Sequence, residues 1–90
     1  MSYKFDIGDR VIGIENTPIK ERTEETMEEN IINELGTVIG SMGGGEDNIY
    51  VVLFDNEINK YNCIFPLAKK NRTTFLHEYQ IRKLERWLNA

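Results

Sequence analysis

His77 is the single histidine of the chain, and a carboxylate residue, Glu78, follows it directly. An imidazole beside a carboxylate is a pairing that general acid and base catalysis uses. A working site also needs a nucleophile or a third group that orients the base, and the sequence shows neither at a recognisable spacing. We therefore expect that the protein is not an enzyme, and we assign no catalytic residue.

Metal and phosphate chemistry have equally little support. The single cysteine, Cys63, has no second cysteine for a disulfide or a thiolate zinc site, and its alternation with Tyr61 and Phe65 indicates a buried strand residue. The stretch "GSMGGGED" leads into acidic residues instead of the GK[ST] of a phosphate-binding loop. We expect a flexible hairpin link there, and neither a metal nor a cofactor.

Acidic residues are concentrated between Glu15 and Glu34, where seven glutamates accompany only Lys20 and Arg22. The spacing of a calcium-binding loop is missing. Two interpretations stay open, a solvated loop or a negative surface that contacts a basic groove in the way that nucleic acid would. The candidate partner-binding residues are Glu21, Glu24, Glu25, Glu28 and Glu29, with Tyr61, Tyr79 and Trp87 as aromatic contacts.

The two halves of the chain differ in charge. Residues 1–48 carry 4 basic and 11 acidic side chains, whereas residues 49–90 carry 7 basic and 4 acidic ones. The candidates for a nucleic-acid face are Lys69, Lys70, Arg72, Arg82, Lys83 and Arg86. The net charge of −4 and the pI near 5.0 oppose the basic surface of a dedicated nucleic-acid binder. A protein partner is therefore the first hypothesis and nucleic acid the alternative.

Length and hydropathy limit the class of protein. Ninety residues suffice for one small domain, residues 1–90. No apolar run approaches the roughly 18 residues of a membrane span, and the N-terminus has no secretion signal. One cysteine fits a reducing compartment. We expect a small acidic, soluble, cytoplasmic protein without membrane contact, and the oligomeric state is left open.

The elements that must position these residues are mostly strands. In "KFDIGDRVIGI" the apolar alternation, broken by Gly8, predicts a turn at Gly8-Asp9 and then a strand that ends before Pro18. The runs "TVI" and "IYVVLFD", joined by the glycine-rich link, predict an antiparallel hairpin.

Two segments allow more than one interpretation. Met27, Ile31 and Leu35 recur at helical spacing, yet residues 15–34 also fit a long loop with a short helical turn, which we favour. Toward the C-terminus the apolar spacing suits a helix, whereas "TTFL" and "IRKLE" suit two strands around a turn of "HEYQ". Periodicity alone does not decide between these.

The series "FDIGDRV", "LGTVIG", "YVVLFD" and "HEYQIRKLE" resembles the strands of bacterial and phage SH3-like small β-barrels of the KOW and Tudor type. The resemblance implies a mostly β, single five-stranded antiparallel barrel with an RT-type loop at residues 15–34. It also implies a 3-10 turn at His77–Gln80 before the last strand. The acidic loop and the connection from Glu57 to Arg72 are longer than is usual in such modules.

The resemblance also implies a function, because such barrels recognise proteins or nucleic acids through their loops. We expect a non-catalytic protein-interaction module. An accessory or phage-encoded inhibitor of a nucleic-acid-handling protein would suit the small size, the lack of a recognisable catalytic motif and a residue usage that AT-rich codons favour. The alternative is a KOW-like nucleic-acid or ribosome-associated module that uses the basic residues.

Overall fold

The fold is a single antiparallel sheet, seen in a computed structural model that describes residues 3–24, 27–44, 47–58 and 72–84. Its strands are β1 (Arg10–Gly13), β2 (Leu35–Gly44), β3 (Asp47–Phe54), β4 (Thr73–His77) and β5 (Ile81–Lys83), in the order β4-β3-β2-β1-β5. Two 3-10 turns, Ile19–Glu21 and Glu78–Gln80, accompany them, and none of the described residues is α-helical. The predicted mostly β class is confirmed.

Strands β4 and β5 lie at opposite edges of this strand order, although only the turn Glu78–Gln80 separates them along the chain. Within the described ranges no backbone pairing joins the two edges, so the sheet is not closed. The closed barrel implied by the resemblance therefore stays a prediction. The two C-terminal strands and the 3-10 turn between them are confirmed, and the helical interpretation of residues 73–83 is wrong.

One face of the sheet carries the core. Along β3, the residues Tyr50, Val52 and Phe54 alternate toward it, as the period of a strand requires. The full cluster is Phe5, Val11, Ile31, Val38, Tyr50, Val52, Phe54, Ile58, Leu76 and Ile81. These side chains come from the N-terminal segment, from all five strands, from the loop between β1 and β2, and from the residues after β3. The core therefore packs every described part of the chain together.

The chain enters β1 through the predicted turn. Gly8 has a φ of 99°, a left-handed value that a side chain disfavours. The Asp9 amide donates to the Asp6 carbonyl at 3.0 Å, and the Gly8 amide donates to the Val38 carbonyl at 2.7 Å. The turn therefore both starts the pairing of β1 with β2 and sends the preceding residues, with Phe5, across the core face.

The connection between β1 and β2 is a loop over its described residues, so the favoured interpretation is confirmed and the helical one is wrong. The three residues at helical spacing do not share one buried face, because their environments differ. Ile31 is fully buried, Met27 is 48 % exposed, and Leu35 begins β2. The end of the loop returns to β1, where Ile32 forms a parallel bridge with Gly13.

Candidate protein-binding site

The first part of the acidic loop is held by an arginine. Arg22 donates from Nε to the Thr17 carbonyl and from Nη1 to the Met27 carbonyl, both at 2.8 Å. An arginine fork satisfies two carbonyl groups that a loop would otherwise leave to water. The guanidinium thereby links Thr17 to Met27, and the 3-10 turn Ile19–Glu21 lies between these two residues in the chain.

A buried glutamine attaches the loop to the sheet. Gln80 is 0 % exposed, and its Nε2 donates to the Glu15 carbonyl at 3.1 Å and to the Thr17 hydroxyl at 2.9 Å. Its Oε1 accepts from the His77 amide at 2.9 Å. One side chain therefore joins the start of the loop to the turn Glu78–Gln80, and a buried amide with its partners in place specifies one geometry.

The histidine meets the acidic loop. His77 Nε2 lies 3.3 Å from Glu21 Oε1, and the His77 ring stacks on Tyr79 with centroids 5.3 Å apart and planes inclined by 14°. Tyr79 is 43 % exposed and Ile19 is 74 % exposed. We call the surface formed by Glu21, His77 and Tyr79, together with the exposed Ile19 of the 3-10 turn that carries Glu21, the loop–turn surface.

The predicted acidic residues have different environments. Glu21, Glu24 and Glu28 are exposed, as a contact surface requires. Glu29 is only 3 % exposed, so it is a buried residue and is removed from the residues offered to a partner. Glu25 lies outside the described residues.

The aromatic predictions are only partly placed by the structure. Tyr79 lies on the turn Glu78–Gln80, next to the acidic loop. Tyr61, Trp87 and Cys63 lie outside the described residues.

The predicted basic face is divided. Arg82 and Lys83 lie on the edge strand β5 with exposed side chains, and Lys83 Nζ is 3.7 Å from the Asp9 carboxylate. Arg72 donates from Nε to the Phe54 carbonyl at 2.9 Å, so it has a structural contact. Lys69, Lys70 and Arg86 lie outside the described residues. Three of the six predicted basic residues therefore lie in the described part. Arg82 and Lys83 are consecutive on β5, where successive side chains point to opposite faces, and Arg72 directly precedes β4, at the other edge of the sheet.

The position of Glu78 directly after His77 suggests a catalytic pair, but the hydrogen bonds of Glu78 place it in a different cluster. Its Oε2 accepts from the buried Tyr50 hydroxyl at 2.6 Å and from Asn48 Nδ2 at 3.1 Å. The Tyr50 hydroxyl in turn accepts from the Lys4 amide at 2.9 Å. The hydrogen bond from Tyr50 holds the pKa of Glu78 below its usual value, whereas burial, followed by the contact with Glu78, raises the pKa of Tyr50.

Replacing Tyr50 by phenylalanine should lower the free energy of unfolding by about 2 kcal/mol at neutral pH, because a buried hydrogen bond to a charged group is lost. The folded pKa of Glu78 is below its unfolded value, so this stabilisation is present above the ordinary pKa of 4.5 and is lost as the pH falls. The difference between wild type and Tyr50→Phe should therefore shrink on acidification, in urea unfolding followed by circular dichroism.

A matched control is Tyr3→Phe, which removes a hydroxyl from the ring that packs edge-on against Tyr50, with centroids 6.0 Å apart. Tyr3 is 40 % exposed, so its hydroxyl can bind water, and its removal should change the free energy of unfolding little. A pH-independent difference for Tyr50→Phe would contradict the assigned role of Glu78.

The residues that sequence reasoning missed are Gln80 and Tyr50. Both are polar residues whose role depends on partners far along the chain, since Gln80 reaches Thr17 over 63 positions and Tyr50 reaches Lys4 over 46. The sequence has no local signal for such contacts.

Within the described residues, no group of three or more His, Cys, Asp and Glu side chains is arranged to hold a metal ion. The same part of the chain has no helix of the length and apolar character that crossing a membrane requires. Comparison with protein families, with curated proteins and with solved structures finds no match to this chain.

Proposed function

We propose that the protein is a non-catalytic protein-binding module and that the loop–turn surface contacts its partner. The observation that carries the proposal is the fixed attachment of the acidic loop to the turn Glu78–Gln80 through Gln80. Without it, the acidic side chains would be an ordinary solvated loop. With it, Glu21 contacts His77, whose ring stacks on Tyr79. The exposed Ile19 lies on the same 3-10 turn as Glu21.

The chemistry of the surface defines the class of partner. Ile19 and Tyr79 offer apolar contact area, and Glu21 together with the exposed Glu24 and Glu28 offers negative charge. A partner segment with lysine or arginine next to aliphatic or aromatic residues complements both properties. The attachment by Gln80 and Arg22 lowers the entropy that the loop loses on binding, because its course is already fixed.

We extend the proposal to the fold and to the biological role. An SH3-like barrel is supported by the strand order and by the 3-10 turn that connects the two edge strands. A negative surface also suits a basic groove that otherwise holds nucleic acid, which favours an accessory or inhibitory role against a nucleic-acid-handling protein.

A peptide-display selection on the immobilised full chain tests this proposal. We expect enrichment of peptides that combine basic with aliphatic or aromatic residues. Tyr79→Ala and Glu21→Gln should each weaken an enriched peptide about tenfold in fluorescence anisotropy. Phe75→Ala and Glu57→Gln are matched controls, because Phe75 is 42 % and Tyr79 43 % exposed and because Glu57 is an exposed carboxylate outside the surface.

The controls should leave the affinity within about twofold. Failure to enrich any peptide, or equal losses in the variants and their controls, would reject the loop–turn surface. Salt-sensitive binding of a single-stranded oligonucleotide that depends on Arg82 and Lys83 would instead favour the nucleic-acid alternative.

A further inference from the structure

Among the described residues, the distal half of β2 is an open sheet edge. Strand β1 pairs with β2 only from Leu35 to Thr37, and Val38 is the last β2 residue on that side with backbone partners, Gly8 and Asp9. The turn at residues 6–9 then directs the chain away across the core face. From Ile39 to Gly44, β2 has β3 as its only strand neighbour among the described residues.

The pairing pattern shows which backbone groups face this edge. Both backbone groups of Val38 point away from β3, since its amide donates to Asp9 and its carbonyl accepts from Gly8. A bulge at Ile39 then shifts the register by one residue. On the regular stretch Gly40–Gly44, antiparallel alternation directs the groups of Met42 to β3 and those of Ser41 and Gly43 to the open edge.

This edge lacks the features that protect exposed strands. Protected edges carry charges, prolines or bulges that twist the strand away. The stretch from Gly40 to Gly44 has neither a charged residue nor a proline, and its bulge lies at the inner end, at Ile39. The central residue Met42 is 46 % exposed, and it lies opposite Ile49 on the face away from the core.

We propose that this edge pairs with the same edge of a second copy of the chain, antiparallel and about a two-fold axis at Met42. Ser41 of each copy then lies opposite Gly43 of the other, and each such pair exchanges two hydrogen bonds. The stretch is self-complementary in this register because its two outward-facing residues are placed symmetrically about Met42. The two-fold axis is normal to the sheet, so it does not exchange the two faces of the sheet. The two Met42 side chains therefore meet on the same face.

The symmetric register identifies a second copy as the occupant, and charge and area set the strength of the contact. Each molecule carries a net charge of −4, which opposes association, whereas the edge from Gly40 to Gly44 is itself uncharged. A stable interface buries roughly 800 Å² on each partner, and a five-residue edge buries less. We therefore expect a weak dimer with a dissociation constant in the micromolar to millimolar range.

Sedimentation velocity of the full chain, over a concentration series up to about 1 mM, tests the proposal. Met42→Lys should raise the dissociation constant at least about tenfold, because it places two like charges opposite each other across the axis. Met27→Lys is the matched control, since Met27 is 48 % exposed and lies in the loop. A monomer at every concentration, or a dimer that Met42→Lys leaves intact, would overturn the proposal.

A disulfide trap tests the register independently of affinity. In a chain with Cys63→Ser, the change Met42→Cys should give a covalent dimer under mild oxidation, because residues opposite each other in a non-hydrogen-bonded pair have Cα atoms about 4.5 Å apart. Met27→Cys should stay largely monomeric. Equal yields from both variants, or none from Met42→Cys in a chain that sediments as a dimer, would reject the β2 edge as the contact.

A backbone variant separates edge pairing from side-chain packing. Ser41→Pro removes an amide that faces the open edge and spares the hydrogen bonds to β3, whereas Ser41→Ala keeps the amide. We expect the proline variant to remain folded, by circular dichroism, and to lose the dimer. A folded proline variant that dimerises as wild type does would contradict the proposed pairing.

Discussion

Gly13→Ala should destabilise the fold by about 3 kcal/mol or more, which is enough to unfold a marginal domain of this size. An added Cβ would lie 2.8 Å from the carbonyl carbon of Ile31 and closer still to its oxygen. The obstacle is backbone, so it cannot be relieved by a change of rotamer. Both backbone groups of Gly13 also bind the loop, because its amide donates to the Glu34 carbonyl and its carbonyl accepts from the Asn33 amide.

Two other glycines serve as controls in urea unfolding experiments. Gly43→Ala should change the free energy of unfolding by less than about 1 kcal/mol, because the nearest atom to its Cβ, the Tyr3 hydroxyl oxygen, is at an ordinary contact distance of 3.6 Å. Gly8→Ala meets no atom within 4 Å but has a φ of 99°, and we expect a loss of about 1 kcal/mol from backbone strain. A loss at Gly13 no larger than that at Gly8 would show that the loop can move away from β1.

The strands and turns were predictable because their signals are local. "IYVVLFD" has the β-branched and aromatic residues of a strand, and β3 covers Asp47–Phe54. The turn at Gly8-Asp9 was visible because glycine allows the left-handed backbone that the structure shows there. These features depend on a few neighbouring residues, which a sequence displays directly.

The course of the loop was less predictable, because its buried residues depend on distant partners. Ile31 enters the core only where Gly13 permits the backbones of β1 and the loop to approach closely. Glu29 was predicted as a surface residue from its charge and is buried. The pairing of β1 with β5, in which Gly13 lies opposite Ile81, likewise joins segments that no local pattern connects.

The candidate site illustrates the same limit. Its contact between His77 and Glu21 spans 56 positions along the chain. The sequence draws attention to the two residues for separate reasons, to His77 because it precedes Glu78 and to Glu21 because it belongs to the acidic loop. Only the strand order and the buried Gln80 bring them together, so the sequence indicated the residue types and the fold supplied the surface.

Gln80→Leu should lower the free energy of unfolding by about 3 kcal/mol, because it leaves the Glu15 carbonyl, the Thr17 hydroxyl and the His77 amide without their partner. It should also release the loop from the turn. The amides of Glu21 and Arg22, which donate to the Pro18 and Ile19 carbonyls, should then exchange with solvent at least about tenfold faster than in wild type.

The comparison with Asn48→Leu separates a positioning role from a merely stabilising one. Asn48 is also a buried amide, 7 % exposed, but it contacts Glu78 on the other side of the turn. Its loss should destabilise the protein while the Glu21 and Arg22 amides keep their protection relative to the rest of the chain. If both variants accelerate exchange equally, the loop opens only with global unfolding, and Gln80 does not hold the loop–turn surface in place. If Gln80→Leu alone accelerates it, one buried side chain attaches the loop to the sheet and holds the loop–turn surface in place.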